Sequence, residues 1–292
     1  MPWIFVLIWS TGFVVARGAM PHAPPFGFLA IRFALSFLCL AVWISVVGAA
    51  WPDGRRQWGH LLVTGVLMQA CYLGGVWSAV KAGLGAGTVA LIVGLQPVLT
   101  AIWVARTSRS GGRSGVAARQ WLGLALGFAG IGLVVWRKLG GEVTAVNLAM
   151  SMVALVGITI GTLYQKRFVG RCDVRSATAV QMLAALAVCA PLALLETEPM
   201  VWHVSLVAAM AWSVLVLTLG GSSLLYLLIQ RGEATVVTSL LYLVPPCTAL
   251  MAWALFDELL TPIMMLGIAL TVAGVALVVR TTPAVEQKEV PS

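Results

Sequence analysis

Ten stretches of this chain are almost wholly apolar, and short polar stretches separate them. The apolar runs lie at about 2–17, 26–48, 58–80, 86–106, 119–137, 146–167, 175–195, 205–230, 233–256 and 262–280. Each approaches the roughly 20 apolar residues an α-helix needs to cross a hydrocarbon core. The pattern predicts an all-α integral membrane protein of ten transmembrane helices with short connections. Some boundaries are sharp. Pro24-Pro25 precedes the second run, and residues 108–113, SRSGGR, form a polar glycine-rich linker. Thr261-Pro262 reads as N-cap and first residue of the last helix. The first run lacks a basic leader and a small-residue cleavage site, so it is read as a span and not as a signal peptide. The polar tail 281–292 is expected to be disordered and cytoplasmic.

The apolar pattern repeats. Residues 122–136, LGLALGFAGIGLVVW, recur as 266–280, LGIALTVAGVALVVR, with nine of fifteen positions identical at an offset of 144. Weaker echoes support the same duplication: Gly87-Thr88-Val89 against Ala234-Thr235-Val236, and Pro97 against Pro245. The units are read as residues 1–138 and 146–280, five spans each. An odd number of spans per unit makes the second run through the bilayer upside down relative to the first. Two inverted five-helix repeats are a transporter architecture, with a substrate site expected near the midplane between the halves.

Composition supports this class. Sixty per cent of residues are hydrophobic and ten per cent charged, against roughly 25% charged in a soluble domain. The net charge of +8 does not indicate nucleic acid, because the basic residues sit in loops between apolar runs. Thirteen Lys and Arg fall on one side of the predicted topology and four on the other. That bias places both termini in the cytoplasm. The five cysteines show no paired spacing, so neither a disulfide framework nor a metal site is expected.

Polar residues inside the spans are the candidates for chemistry. Gln96-Pro97 stands in the middle of the fourth run, where proline frees a carbonyl that needs a partner or a wet cavity. Pro245-Pro246 is the matching break in the ninth run, with Ser239 and Tyr242 just before it on one face. Pro97, Pro245 and Pro246 are read as hinges. Gln96, Gln69, Tyr72, Trp9, Thr11, Tyr164, Tyr226, Ser239 and Tyr242 offer rings, amides and hydroxyls suited to an amphipathic amino acid or a flat cation. Each has a plainer reading as a packing or helix-bridging group. Arg32 is the single charge well inside a span; it either binds a carboxylate or reaches the outer surface. Trp77, Trp136 and Trp202 read as interfacial anchors. Glu258 reads as a favourable charge near the N-terminus of the last helix. Gly83-x3-Gly87, Gly123-x3-Gly127 and Gly157-x3-Gly161 read as sites of close helix approach.

Three segments carry a family resemblance: IWSTGFVVARGAMPHAPPFGFLAIRFAL (8–35), ALIVGLQPVLTAIWVA (90–105) and WALFDELLTPIMMLGIALTVAGVALVV (253–279). They resemble EamA-type members of the drug/metabolite transporter superfamily. The resemblance implies a ten-helix exporter of small metabolites in the bacterial inner membrane. YddG-like members of that group export amino acids, aromatic ones included. It also implies a central cavity between the third, fourth, eighth and ninth helices with the first and sixth, and a fifth and tenth helix packed together at the edge.

The expected function is export of small metabolites, most readily amino acids, by alternating access. No Asp or Glu stands in the middle of a run, so a facilitator is expected in place of a proton antiporter. The alternatives are a multidrug exporter of aromatic cations driven by proton antiport and, from another class, a membrane scaffold or an intramembrane enzyme. No phosphate loop, dinucleotide fingerprint or catalytic constellation is visible, so neither catalysis nor a cofactor is expected. The partners expected are a small-molecule substrate and the lipid bilayer, with the chain a monomer.

Overall fold

The computed structural model describes residues 2–107, 118–138, 143–221, 224 and 243–279. Among these the regular elements are helices: α1 (Pro2–Ala19), α2 (Pro25–Val47), α3 (Gly54–Lys81), α4 in two pieces (Ala86–Val93 and Gln96–Thr107), α5 (Ala118–Lys138), α6 (Ala145–Phe168), α7 (Val174–Ala193), α8 (Val204–Gly220), α9 (Val244–Phe256) and α10 (Pro262–Val279). By length and composition α2, α3, α6 and α7 can each cross a membrane, and the others are shorter apolar helices. The 108–113 linker, the end of the eighth apolar run, the start of the ninth and the 281–292 tail lie outside the described residues.

The helix ends follow from local chemistry. Pro25 opens α2, where its missing N–H costs nothing, and Gly48 closes it in the left-handed conformation at φ 68°. Thr144 and Asn147 form a reciprocal capping box at the start of α6. Thr261 Oγ1 accepts the Met264 N–H at 3.2 Å, the expected cap of α10. The proline positions bring a correction. No continuous helix bends at Pro97; α4 stops at Val93, turns through Gly94 and Leu95, and restarts at Gln96. Pro245 and Pro246 likewise stand in the first turn of α9, where proline is tolerated. A kink was expected at each site, and a helix start is found.

Among the described residues two helices contain π-helical turns, which the sequence pattern gave no sign of: Val66–Cys71 in α3 and Trp212–Gly220 in α8. Thr218 Oγ1 donates to Ser213 O, five residues back, at 3.0 Å. Such turns occur often at functional sites, because the extra residue turns side chains off the helical register.

Packing pairs the two halves of the chain. α2 packs on α7, α4 on α9 and α5 on α10. α1 packs on α8 and α9; correspondingly, α6 packs on α3 and α4. Backbones touch where glycines allow it. A Cβ on Gly130 would stand 2.5 Å from Gly267 O, and one on Gly274 would meet Gly123 O and Gly127 N. Gly123 and Gly130 are the repeat equivalents of Gly267 and Gly274. Each glycine of one copy therefore meets the other glycine of the second copy, with residue numbers rising along α5 as they fall along α10. The α5–α10 contact is antiparallel and two-fold in pattern. Of the other glycine motifs, Gly157 and Gly161 pack against the π-helical turn of α3. Gly83 does not pack against a helix; at φ 92° with open space around it, it makes the turn between α3 and α4.

Candidate functional site

One end of the bundle is sealed by carboxylates set on helix N-termini. Glu196, in the α7–α8 connection, accepts the N–H groups of Phe26 at 3.0 Å and Gly27 at 2.7 Å. Glu258, after α9, accepts the Ala86 N–H at 3.0 Å and lies 3.7 Å from Arg17. Both carboxylates satisfy orphan donors and place negative charge at the positive end of a helix dipole. Glu258 was expected to serve α10 in this way; it serves α4, because Thr261 already caps α10. Lys81 Nζ ties the same end to Glu198 at 2.5 Å and to Met20 O at 2.9 Å. Asn147 Nδ2 donates to Ala82 O, and the His22 and His203 rings stack at 4.8 Å.

Below this seal a cavity of about 540 Å³ runs to the opposite end, where it opens beside the α6–α7 loop. Its deep end holds Arg32 and Tyr72 with Trp9, Phe13 and Trp77. Phe28, one turn from Arg32, stacks on Trp77 at 4.4 Å and roofs that end. Trp77 is 1% exposed, so it is no interfacial anchor, whereas Trp136, at 74%, stands on the surface as expected. Gln69, in the π-helical turn of α3, faces the middle of the cavity, with Gln165 and Thr162 of α6, Gln181 of α7 and Thr218 of α8. Lys166 and Arg171 stand at the mouth.

Of the candidates read from sequence, the cavity thus collects Arg32, Tyr72, Gln69 and Trp9. Gln96 and Thr11 are placed outside its described lining. Gln96 Nε2 donates to Thr162 Oγ1 at 3.2 Å, linking the α4 break to a wall residue. Thr11 Oγ1 accepts Trp212 Nε1 at 2.9 Å, linking α1 to α8. Tyr164 shares a 2.8 Å hydrogen bond with His60 and packs against Phe168, away from the cavity. The α4 break meets the start of α9: a Cβ on Gly94 would lie 2.8 Å from Pro245 Cγ. Tyr226, Ser239 and Tyr242 lie outside the described residues. Gln181 was missed, although an amide inside the apolar run 175–195 was a readable signal. Gln165 was missed as well, although its neighbour Tyr164, whose ring turns the other way, was a candidate.

The cavity is basic. Its described lining contains Arg32, Lys166 and Arg171 and no Asp or Glu. Asp173, between the lining residues Cys172 and Val174, is engaged by Arg175, whose Nη2 and Nε reach its carboxylate at 2.7 and 3.0 Å. The Arg175 hydrogen bond holds the Asp173 carboxyl below the usual range, against a smaller opposing effect of burial. The stabilising effect of that pairing is therefore complete above the ordinary carboxylate pKa and is lost only as pH falls through the lowered value. Between about pH 5.5 and 8, well above the free value of roughly 4, the Asp173–Arg175 pairing is expected not to respond to pH. Asp173→Asn is expected to speed hydrogen exchange at the Arg175 amide, which Asp173 Oδ1 accepts at 2.9 Å, equally across that range. A mutant-to-parent exchange ratio that collapses toward pH 5.5 would contradict this assignment.

Comparison with known proteins points to a membrane transporter. A model of the EamA-like transporter family matches residues 3–136 and again residues 146–280. The chain is 24% identical over 281 residues to the uncharacterized transporter YvbV of Bacillus subtilis, covering 94% of this chain and 88% of that one. It is also 24% identical to an uncharacterized transporter of Synechocystis, over 93% and 86% of the two chains. A crystal structure shares the fold at a TM-score of 0.64, with 19% identity over 99% of this chain and 97% of the other. With the family model matched twice, over nearly the whole described bundle, the chain belongs to the EamA-like transporter family.

Proposed function

We propose that this chain exports small metabolites of amino-acid size, aromatic amino acids included, across the bacterial inner membrane by alternating access. The observation that carries the proposal is a cavity that, among the described residues, reaches the α6–α7 loop at one end and is covered at the other. It is deep enough to bring a solute against Arg32 and Tyr72, and it stops beneath the Phe28–Trp77 stack and the Glu196 and Glu258 seals. A solute that enters can leave on the other side only if the seal opens and the mouth closes.

The two-fold glycine contact between antiparallel α5 and α10 supports a ten-helix fold of two inverted repeats, residues 1–138 and 146–280. A two-fold of this kind lies in the membrane plane and makes the opposite state a mirror of the first in roles. The open end carries Arg55, Arg56, Lys166, Arg167 and Arg171, and the sealed end Arg17 and Lys81, so the mouth faces the cytoplasm. Pro97, Pro245 and Pro246 sit at the crossing of α4 and α9, where the two pieces of α4 can swing. One chain holds both halves, and a monomer suffices. The acid-free described lining argues against a multidrug exporter of aromatic cations, since a desolvated cation needs a counter-charge.

The test is flux in proteoliposomes with a panel of labelled amino acids and methyl viologen, at equal and unequal pH. Amino-acid flux without a pH gradient is expected. Flux of methyl viologen alone, or flux only with a gradient, would overturn the facilitator reading.

A further inference from the structure

Resting on the reading of the cavity as a solute path, we infer that its deep end is an organic-anion site. It prefers a small aromatic monocarboxylate without an ammonium group over the matching amino acid, which it still admits, the carboxylate on Arg32 and the ring among Trp9, Phe13 and Trp77. Arg32 is 7% exposed and seven residues into α2, roughly 10 Å from the helix start. Its Nε has no hydrogen-bond partner, and no carboxylate pairs with it among the described residues. A guanidinium is costly to bury unpaired, and its planar fork fits a carboxylate through two parallel hydrogen bonds. The cavity is where that partner can arrive.

The rest of the lining selects by charge. Lys166 and Arg171 at the mouth carry the same sign as Arg32, so the field along the path draws anions inward. An ammonium group in this cavity meets amide and hydroxyl oxygens, but no described acid; Asp173 is engaged by Arg175. Of three molecules with one skeleton, the anion gains Arg32, the zwitterion gains Arg32 and desolvates an uncompensated ammonium, and the cation gains nothing and is repelled. 2-Oxo acids and N-acylated amino acids are the metabolite classes with this pattern.

Isothermal titration calorimetry on the full chain in detergent at pH 7.4 tests the ranking, with 3-phenylpropionate, L-phenylalanine and phenethylamine as probes. The expected result is a Kd for 3-phenylpropionate at least tenfold below that for L-phenylalanine, with no heat from phenethylamine. Arg32→Gln should remove the preference and Arg32→Lys should keep part of it, each checked for a melting transition like the parent's. The ranking on the parent protein alone decides the matter if Arg32→Gln does not fold. Equal or tighter binding of L-phenylalanine, binding of phenethylamine, no binding by any probe, or a folded Arg32→Gln that keeps the preference would overturn the inference. Binding and flux fail separately. A correct ranking without flux leaves the anion site and removes transport; flux without the ranking does the reverse.

Discussion

Gly130→Leu is expected to prevent stable folding, while Gly132→Leu, two residues along the same helix, is expected to be nearly silent. At Gly130 a Cβ would stand 2.5 Å from the Gly267 carbonyl oxygen and 2.7 Å from Thr271 Oγ1. The obstacle is the backbone of α10, which no rotamer change can move. Thr271 Oγ1 already donates to Gly267 O at 2.9 Å, so the space has no slack. Overpacking of this kind costs about 3 kcal/mol, the upper end of the usual range. The loss is concentrated in one contact, because lipid offers apolar helices no hydrophobic reason to associate and close van der Waals packing must hold them. At Gly132 nothing lies within 4 Å of a new Cβ, and leucine there improves helix propensity. Fluorescence-detected size exclusion after heating reads both. A monodisperse peak lost for Gly130→Leu and kept for Gly132→Leu is the predicted result; similar behaviour of the two would mean that the α5–α10 contact is not as described. Gly267→Leu should behave as Gly130→Leu does, since a Cβ there meets Gly130 O at 2.7 Å.

Glu258→Ala is expected to loosen the sealed end without unfolding the bundle. The carboxylate holds the Ala86 N–H at the start of α4, next to Arg17. Gly85 leaves it the room, since a Cβ there would lie 2.7 Å from Glu258 Oε2. Charged hydrogen bonds of this type contribute roughly 1.5–3 kcal/mol, so exchange of the Ala86 amide should rise about tenfold or more. Glu196→Ala should do the same at Phe26 and Gly27 and leave Ala86 unchanged, because the two carboxylates cap different helices. Glu258→Gln keeps the acceptor and loses the charge, and should fall between. Hydrogen–deuterium exchange with mass spectrometry separates these segments. Unchanged exchange at Ala86 in Glu258→Ala would show that the seal depends on other contacts.

Much of this arrangement was legible in the sequence. The apolar runs marked the helices that are described, and Thr261 was identified as a cap because its hydroxyl acts within one turn. The pairing of α5 with α10 followed from the resemblance, and the glycines that make it possible stand in the repeated segment itself. Arg32 and Tyr72 drew attention because a charge or phenol inside an apolar run is rare. Illegible features depended on partners far away in sequence. Whether Glu258 caps α10 or α4 turns on α4 being brought to it across 172 positions. Trp77 resembled an interfacial anchor until Phe28 covered it. Tyr164 and Gln165 are neighbours in sequence, yet a helix turns adjacent side chains about 100° apart, so one meets His60 and the other the cavity. The π-helical turns shift that register again, and no local residue pattern announces them.

The most direct test of the account fills the cavity and measures transport. Ala177 lines the mouth as a small side chain on α7 and makes no side-chain hydrogen bond that substitution would remove. Parent, Ala177→Ser and Ala177→Trp would be reconstituted into liposomes and assayed for flux of the labelled solutes that the parent carries. The account predicts flux near the parent level for Ala177→Ser and a loss of at least tenfold for Ala177→Trp, with both variants folded. Undiminished flux through Ala177→Trp, or a parent that carries none of the panel, would contradict the claim that this cavity is a solute path.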